Sequence, residues 1–192
     1  MIREAILTTL NADNSVHIAP MGVREIDNQI LIAPFKPSTT LDNIKRNGQA
    51  VVNLTDDVRI FAGCLTGHYD WPTVPASVIT GQRLENTLSH LELEVRKFDD
   101  DKLRPKFFCE IRHQKTHRPF MGFNRAQAAV LELAILVSRL PMLPQEKIDT
   151  EIKYLEIALE KTAGKDEIEA WGWLMDRISE YRLQQAASEN MV

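Results

Sequence analysis

At 192 residues the chain is long enough to bury a core of its own without staples. Its composition, 44% hydrophobic and 26% charged, is that of a globular protein, and a net charge of -4 excludes a broadly basic nucleic-acid surface. Two cysteines, Cys64 and Cys109, with no C-x-x-C pair, exclude a disulfide framework.

The opening residues MIREAILTTL carry charges among apolar residues and lack the apolar core of a secretion signal. The longest mainly apolar stretch, Ala128 to Val137, is short for a membrane span and contains Glu132. A cytoplasmic protein with no membrane and no nucleic-acid partner is expected. Ile2 to Leu10 reads as a strand, Asn11 to Ser15 as a turn, and Val16 to Arg24 as a second strand. Pro20 within that strand implies an edge or a bulge, because it has no N–H to give. Asp27-Asn28 turns the chain into a third strand, Gln29 to Ala33.

A short helix follows. Ser38, Thr39 and Thr40 are N-cap candidates, Leu41 and Ile44 give it an apolar side, and Asn47-Gly48 ends it. Gln49 to Leu54 and Val58 to Cys64 read as two more strands. Thr66 to Ser77 carries two prolines, a glycine and aromatics, and reads as a long loop. Leu91, Leu93 and Val95 alternate with Glu92, Glu94 and Arg96, the period of a half-buried strand with its charges outward. Asp99 to Asp101 turns it into a partner, Lys106 to His113.

From Asn124 the period becomes helical. Asn124 to Leu140 is one helix, stopped by Pro141, and Gln145 to Ala163 is a second, with Gly164 at its end. Asp166 to about Ala187 is a third, with Ile168, Trp171, Leu174, Met175 and Ile178 on one face. The expected organisation is therefore a β domain over residues 1–121 and a helical subdomain over 122–192, packed on the barrel or on a partner copy.

The richest segment for chemistry is Pro34 to Asn53. A strand ends, Lys36 follows, three hydroxyls begin a helix, and a strand starts after Gly48. First-turn N–H groups have no partner inside a helix, and their dipole end attracts an anion. With Lys36, Ser38, Thr39 and Thr40 they can cradle a phosphate. The plainer reading is a capped helix beside a solvated lysine. Neither G-x-G-x-x-G nor G-x-x-x-x-G-K occurs, so Rossmann and P-loop nucleotide sites are not indicated.

Three segments carry a family resemblance: His17-Ile18-Ala19-Pro20-Met21, Thr40-Leu41-Asp42-Asn43-Ile44 and Ala50-Val51-Val52-Asn53-Leu54. In this order they resemble the flavin reductase-like FMN-binding split barrels, over roughly residues 1 to 115. A closer likeness is to an uncharacterised domain-of-unknown-function family within that superfamily, which adds a C-terminal helical extension. There Phe123-Asn124-Arg125-Ala126, Val130-Leu131-Glu132 and Ser138-Arg139-Leu140 look like a second signature.

The resemblance implies a mostly β fold with α, namely an antiparallel Greek-key split β-barrel with a C-terminal helical bundle. It also implies FMN as cofactor and a homodimer with flavin near the interface. Ala19, Pro20, Met21 and Gly22 would lie against the flavin ring, and Lys36, Ser38, Thr39 and Thr40 would hold its phosphate. Asn43 and Asn53 would bond phosphate, ribityl chain or ring edge. The implied role is a flavin-dependent oxidoreductase acting on a small molecule. Two alternatives stand beside it: an accessory protein that binds flavin or pterin in one-carbon metabolism, and a structural dimer with an empty barrel.

Arg125, Glu132 and Arg139 recur every seven residues, so they form one polar line on an apolar helix. Either they make a charge network, or Arg125 in the first turn meets flavin or an anionic substrate, since a cation there opposes the dipole. His68, Tyr69 and Trp71 are either a lid over a flavin edge or the anchors of an aromatic loop. Cys109, His113 and His117 form C-x3-H-x3-H, but the stretch reads as a strand and Pro119 argues against a helix. No metal is expected from that spacing. No Ser-His-Asp set assembles, and the residues of catalysis stay open.

Overall fold

The computed structural model describes residues 1–189. Its contacts divide the chain into two compact units. One is residues 1–56 with 70–120, and the other is residues 57–69 with the chain from Met121 onward.

The first unit is a closed barrel. In chain order its strands are β1 (Ile2–Leu10), β2 (Val16–Ile26), β3 (Gln29–Ile32), β4 (Gln49–Leu54), β7 (Ser89–Asp99) and β8 (Lys106–Thr116), with α1 (Thr39–Asn47) between β3 and β4. Around the barrel the order is β1-β2-β3-β8-β7-β4, every pair antiparallel. A short ribbon, β5 (Thr73–Pro75) with β6 (Gln82–Leu84), belongs to the same unit.

Turn chemistry sets the register. Asp27 and Asn28 both take positive φ, 48° and 62°, as a two-residue hairpin requires, so β2 returns directly as β3. The interior is filled by alternate residues: Ala5 and Leu7 of β1, Val23 of β2, Ile30 and Ile32 of β3, Val52 of β4, Leu93 of β7 and Phe107 of β8. Each such side chain contributes roughly 1.5–3 kcal/mol by leaving water. Leu41 and Ile44 of α1 join that cluster, so α1 plugs one end of the barrel. The other end opens into a cavity of about 240 Å³ lined by Val52, Leu54, Leu91 and Ile111 among others.

β1 is buried without interruption from Ala5 to Thr9, which simple alternation does not predict. Its outward residues are covered as well: the Thr8 hydroxyl donates to the Gln82 carbonyl of β6.

The second unit is helical: α2 (Val58–Thr66), α3 (Arg125–Val137), α4 (Gln145–Thr162) and α5 (Lys165–Glu189). The expected strand Val58 to Cys64 is therefore a helix. Its β-branched residues read as strand, but Asp57 accepts the Arg59 N–H as N-cap and Gly67 ends the element at φ 89°. Val58 and Ala62, one turn apart, then face a core with Val130, Leu133, Leu174 and Ile178.

The Asn124 carboxamide caps α3 by accepting from Ala126 and Gln127, and its Nδ2 donates to the Thr162 carbonyl at 3.0 Å. A single residue thus ties the start of α3 to the end of α4. Trp171, Leu174 and Ile178 are buried as the apolar face of α5 requires, whereas Ile168 is exposed and outside that face. Among the described residues no helix is long and apolar enough to cross a membrane.

Candidate functional site

The N-terminus of α1 is the first polar centre of the barrel unit. The Ser38 hydroxyl accepts the Leu41 N–H at 3.3 Å, so Ser38 is the N-cap, and Gly48 at φ 66° closes the helix by donating to the Ile44 carbonyl. Thr39 is exposed while Thr40 is buried, its hydroxyl 3.1 Å from His17 Nε2 on β2. Burial pushes the His17 imidazole below its ordinary value, so it is the neutral ring that meets Thr40.

The segment before the helix is fastened to the turn between β7 and β8. The Lys36 N–H donates to the Leu103 carbonyl, and the Arg104 guanidinium stacks 4.5 Å over Phe35 and donates to the Ala33 carbonyl. The Lys36 ammonium lies 3.5 Å from Asp100 in an exposed pair, which holds it weakly.

Beside α1 runs the first half of β2. Pairing with β3 covers Val23 to Ile26, so that ladder does not extend along residues 16–22. Pro20 sits in this stretch, where a missing N–H breaks no bond of that ladder. Ala19 and Met21 pair with Leu7 and Ala5 and share their inward face. Gly22 points the other way, and a Cβ there would come within 3.0 Å of Ile2.

The two asparagines are already engaged. Asn43 Nδ2 donates to the Thr9 hydroxyl and to Asn11 Oδ1, and its Oδ1 accepts from Arg46. This pins α1 to β1. Asn53 is fully buried; its Nδ2 donates to the Ile6 carbonyl and the Thr8 hydroxyl, and its Oδ1 accepts the Leu84 N–H at 2.8 Å. It pins β6 to the barrel wall.

A second polar centre lies on the outer face of β7 and β8. Alternation places Glu92 outward, as expected, yet Glu92 is fully buried. The segment after β5 covers it: the N–H groups of Ser77, Val78 and Ile79 all donate to the Glu92 carboxylate, at 2.6, 2.7 and 3.0 Å. Burial pushes its pKa up, but these backbone donors and His90 outweigh that and hold it at about 2. His90, also fully buried, places Nε2 3.1 Å from Glu92 and Nδ1 2.9 Å from His117 Nε2.

A β-bulge decides which histidines meet there. Leu93 pairs with Ile111 and Glu92 with His113, so Arg112 is the extra residue. The bulge turns His113 to the outer face beside His90, while Cys109 stays in the barrel core. The C-x3-H-x3-H spacing is thus split between two faces. The sequence pattern gives Glu92 only an outward position and His90 no role; their two-residue spacing marks a shared strand face, but nothing local signals its cover.

The other candidates lie in the helical unit. Arg125 and Glu132 are exposed and line one groove with Tyr154 and Ile157, and among the described residues no ion pair joins Arg125, Glu132 and Arg139. His68 stacks on Trp173 with ring centroids 4.0 Å apart, and the Tyr69 hydroxyl donates to the Cys64 carbonyl.

Comparison with known proteins agrees with this architecture. A family model described as a protein of unknown function (DUF447), N-terminal domain, matches residues 3–118, and its companion, protein of unknown function (DUF447), matches residues 124–176. No curated protein matches the sequence. An FMN-bound protein of Methanosarcina mazei, matched by the same family model, is 18% identical and superposes with a TM-score of 0.78, over 92% of this chain and 94% of its own. The flavoredoxin of Methanosarcina acetivorans is 16% identical, with a TM-score of 0.55 over 63% of this chain and 72% of its own. The 2-nitrobenzoate 2-nitroreductase of Pseudomonas fluorescens is 25% identical, with a TM-score of 0.51 over 59% and 64%. The fold is that of the FMN-binding split barrels.

Proposed function

The chain belongs to the DUF447 family, and from that premise we propose that it is a flavoprotein that binds FMN and serves as an oxidoreductase for a small molecule. The observation that carries this reading is the likeness, over nearly the whole chain, to the FMN-bound protein of Methanosarcina mazei. The local chemistry fits. A phosphate needs cationic and N–H donors, and exposed Lys36 and exposed Thr39 stand three residues apart in sequence at the start of α1, where helix N–H groups favour an anion.

Each residue then has a task. Lys36 neutralises the phosphate, since its pair with Asp100 is exposed and cheap to break. Ser38 caps α1 and Thr39 donates its hydroxyl. Neutral His17 orients Thr40. Ala19 to Gly22 offer an open backbone edge to the ring, with Pro20 giving a surface and no donor. Asn43 and Asn53 act by holding the walls in place. Arg125, at the start of α3, is the cation expected to meet flavin or an anionic substrate.

When bound, the isoalloxazine ring supplies hydride or electron transfer, so the chain's own work is to bind, orient and exclude water. We further propose a homodimer in the cytoplasm, with flavin near the subunit interface.

The test is the visible spectrum of purified protein before and after added FMN. Flavin should bind, and Lys36→Ala should weaken it roughly 10- to 100-fold, as loss of a charged hydrogen bond does. Protein that is folded yet takes up no FMN would sink the reading. NAD(P)H consumption by the loaded protein then separates an enzyme from a carrier.

A further inference from the structure

We propose that His90, Glu92 and His113 form a binding site for a divalent transition-metal ion of the zinc type, on the outer face of the barrel. One ligand atom from each residue lies within 4.8 Å of the other two. Imidazole nitrogen and carboxylate oxygen at about 2.0–2.2 Å from zinc stand roughly 3.3 Å apart in a tetrahedron. His90 Nε2 and Glu92 Oε1, at 3.1 Å, already have that separation. A side-chain adjustment at His113, whose ligand atom already lies within 4.8 Å of the other two, completes the set.

A second observation points to a ligand. His113 Nε2 is buried and has no hydrogen-bond partner. A buried imidazole nitrogen left without a partner is costly, and a bound cation would satisfy it.

The surroundings are those of a ligand shell. His90 passes its other nitrogen to His117 at 2.9 Å, the outer contact that fixes the orientation of a ligating histidine. Val78 and Ile79 donate to Oε2 of Glu92 and Ser77 donates to Oε1, whose remaining lone pair meets His90 Nε2 and is the one that would face an ion. The ion takes the place of the His90 proton against that oxygen. Three protein ligands leave a fourth position for water. Arg83, whose charge acts on His90 and His117, is occupied by the carbonyls of Leu84 and Glu85.

This site does not rest on the flavin reading. Its ligands come from β7 and β8, and none is an expected flavin contact.

The experiment uses the full chain, stripped with chelator, dialysed against Zn²⁺ and analysed for bound metal. One equivalent is expected, with a rise in Tm that grows with free zinc. His113→Gln should lower zinc affinity at least tenfold while leaving the metal-free Tm unchanged or raised, because it removes an unsatisfied nitrogen. His90→Gln should weaken zinc as strongly, read in the same assay where the variant folds. Folded wild-type protein that holds no zinc would overturn the proposal. So would a His113→Gln protein that binds zinc as tightly as wild type, which would assign the metal to other surface groups.

Discussion

The two polar centres of the barrel unit are built in opposite ways. Around the N-terminus of α1 the charged groups are exposed and weakly held: the side chains of Lys36 and Asp100 keep 42% and 63% of their surface in water. Around Glu92 the carboxylate and His90 are fully buried, three consecutive backbone N–H groups converge on the carboxylate, and the buried His113 Nε2 has no hydrogen-bond partner. The first arrangement leaves donors available to a ligand at little cost to the fold. The second makes the fold depend on the site, because buried polar groups are expensive when a partner is removed. Binding and stability should therefore separate cleanly between the two.

Glu92→Ala should produce the largest effect. It strips the acceptor from Ser77, Val78, Ile79 and His90, and should cost about 3 kcal/mol or more, a fall of roughly 6–12 °C in Tm for a chain this long. A loss under about 1 kcal/mol in thermal denaturation would mean that the carboxylate does not clamp the covering segment. Asn53→Ala should cost about 2 kcal/mol for the same reason, since it frees the Leu84 N–H inside the unit.

Ser38→Ala removes only a helix cap and should cost about 1 kcal/mol. Lys36→Ala inverts the pattern. Its Tm should stay within about 0.5 kcal/mol of wild type, as for other exposed substitutions, while FMN affinity falls. Equal losses of stability and affinity at Lys36 would erase the contrast drawn here.

The smallest effect is a pH dependence. Burial lowers the His17 pKa below its ordinary 6.5, so the folded protein favours the neutral ring. The stability it contributes is complete above pH 6.5 and is lost as pH falls below 6.5 toward the lowered folded value. His17→Gln should flatten the decline of Tm below that pH relative to wild type. Parallel curves for the two proteins would show that His17 is not the group responsible.

Much of this was readable from the chain itself. The helix from Thr39 to Asn47 was announced by Ser38 before it and Gly48 after it, and the hairpin at Asp27-Asn28 by its turn residues. Such signals work because cap, turn and element are neighbours in sequence. Val58 to Cys64 misled because its β-branched residues outweigh, in a short window, the Asp57 cap and the Gly67 stop. Glu92 misled because alternation says which way a side chain points but not whether anything covers it.

The sequence by itself determined most of the barrel's strands, the three C-terminal helices and the local chemistry of the α1 terminus, since periodicity, caps and turns act over a few residues; that the strands close into a barrel was implied by the family resemblance. Tertiary structure alone decided that Asn43 and Asn53 serve the walls, that Glu92 is buried, and that a bulge at Arg112 brings His113 to His90 while sending Cys109 inward. Those outcomes depend on strand register and on what closes over a face. Register is settled by pairings between residues far apart in the chain, where one unmatched residue moves every following side chain to the opposite face.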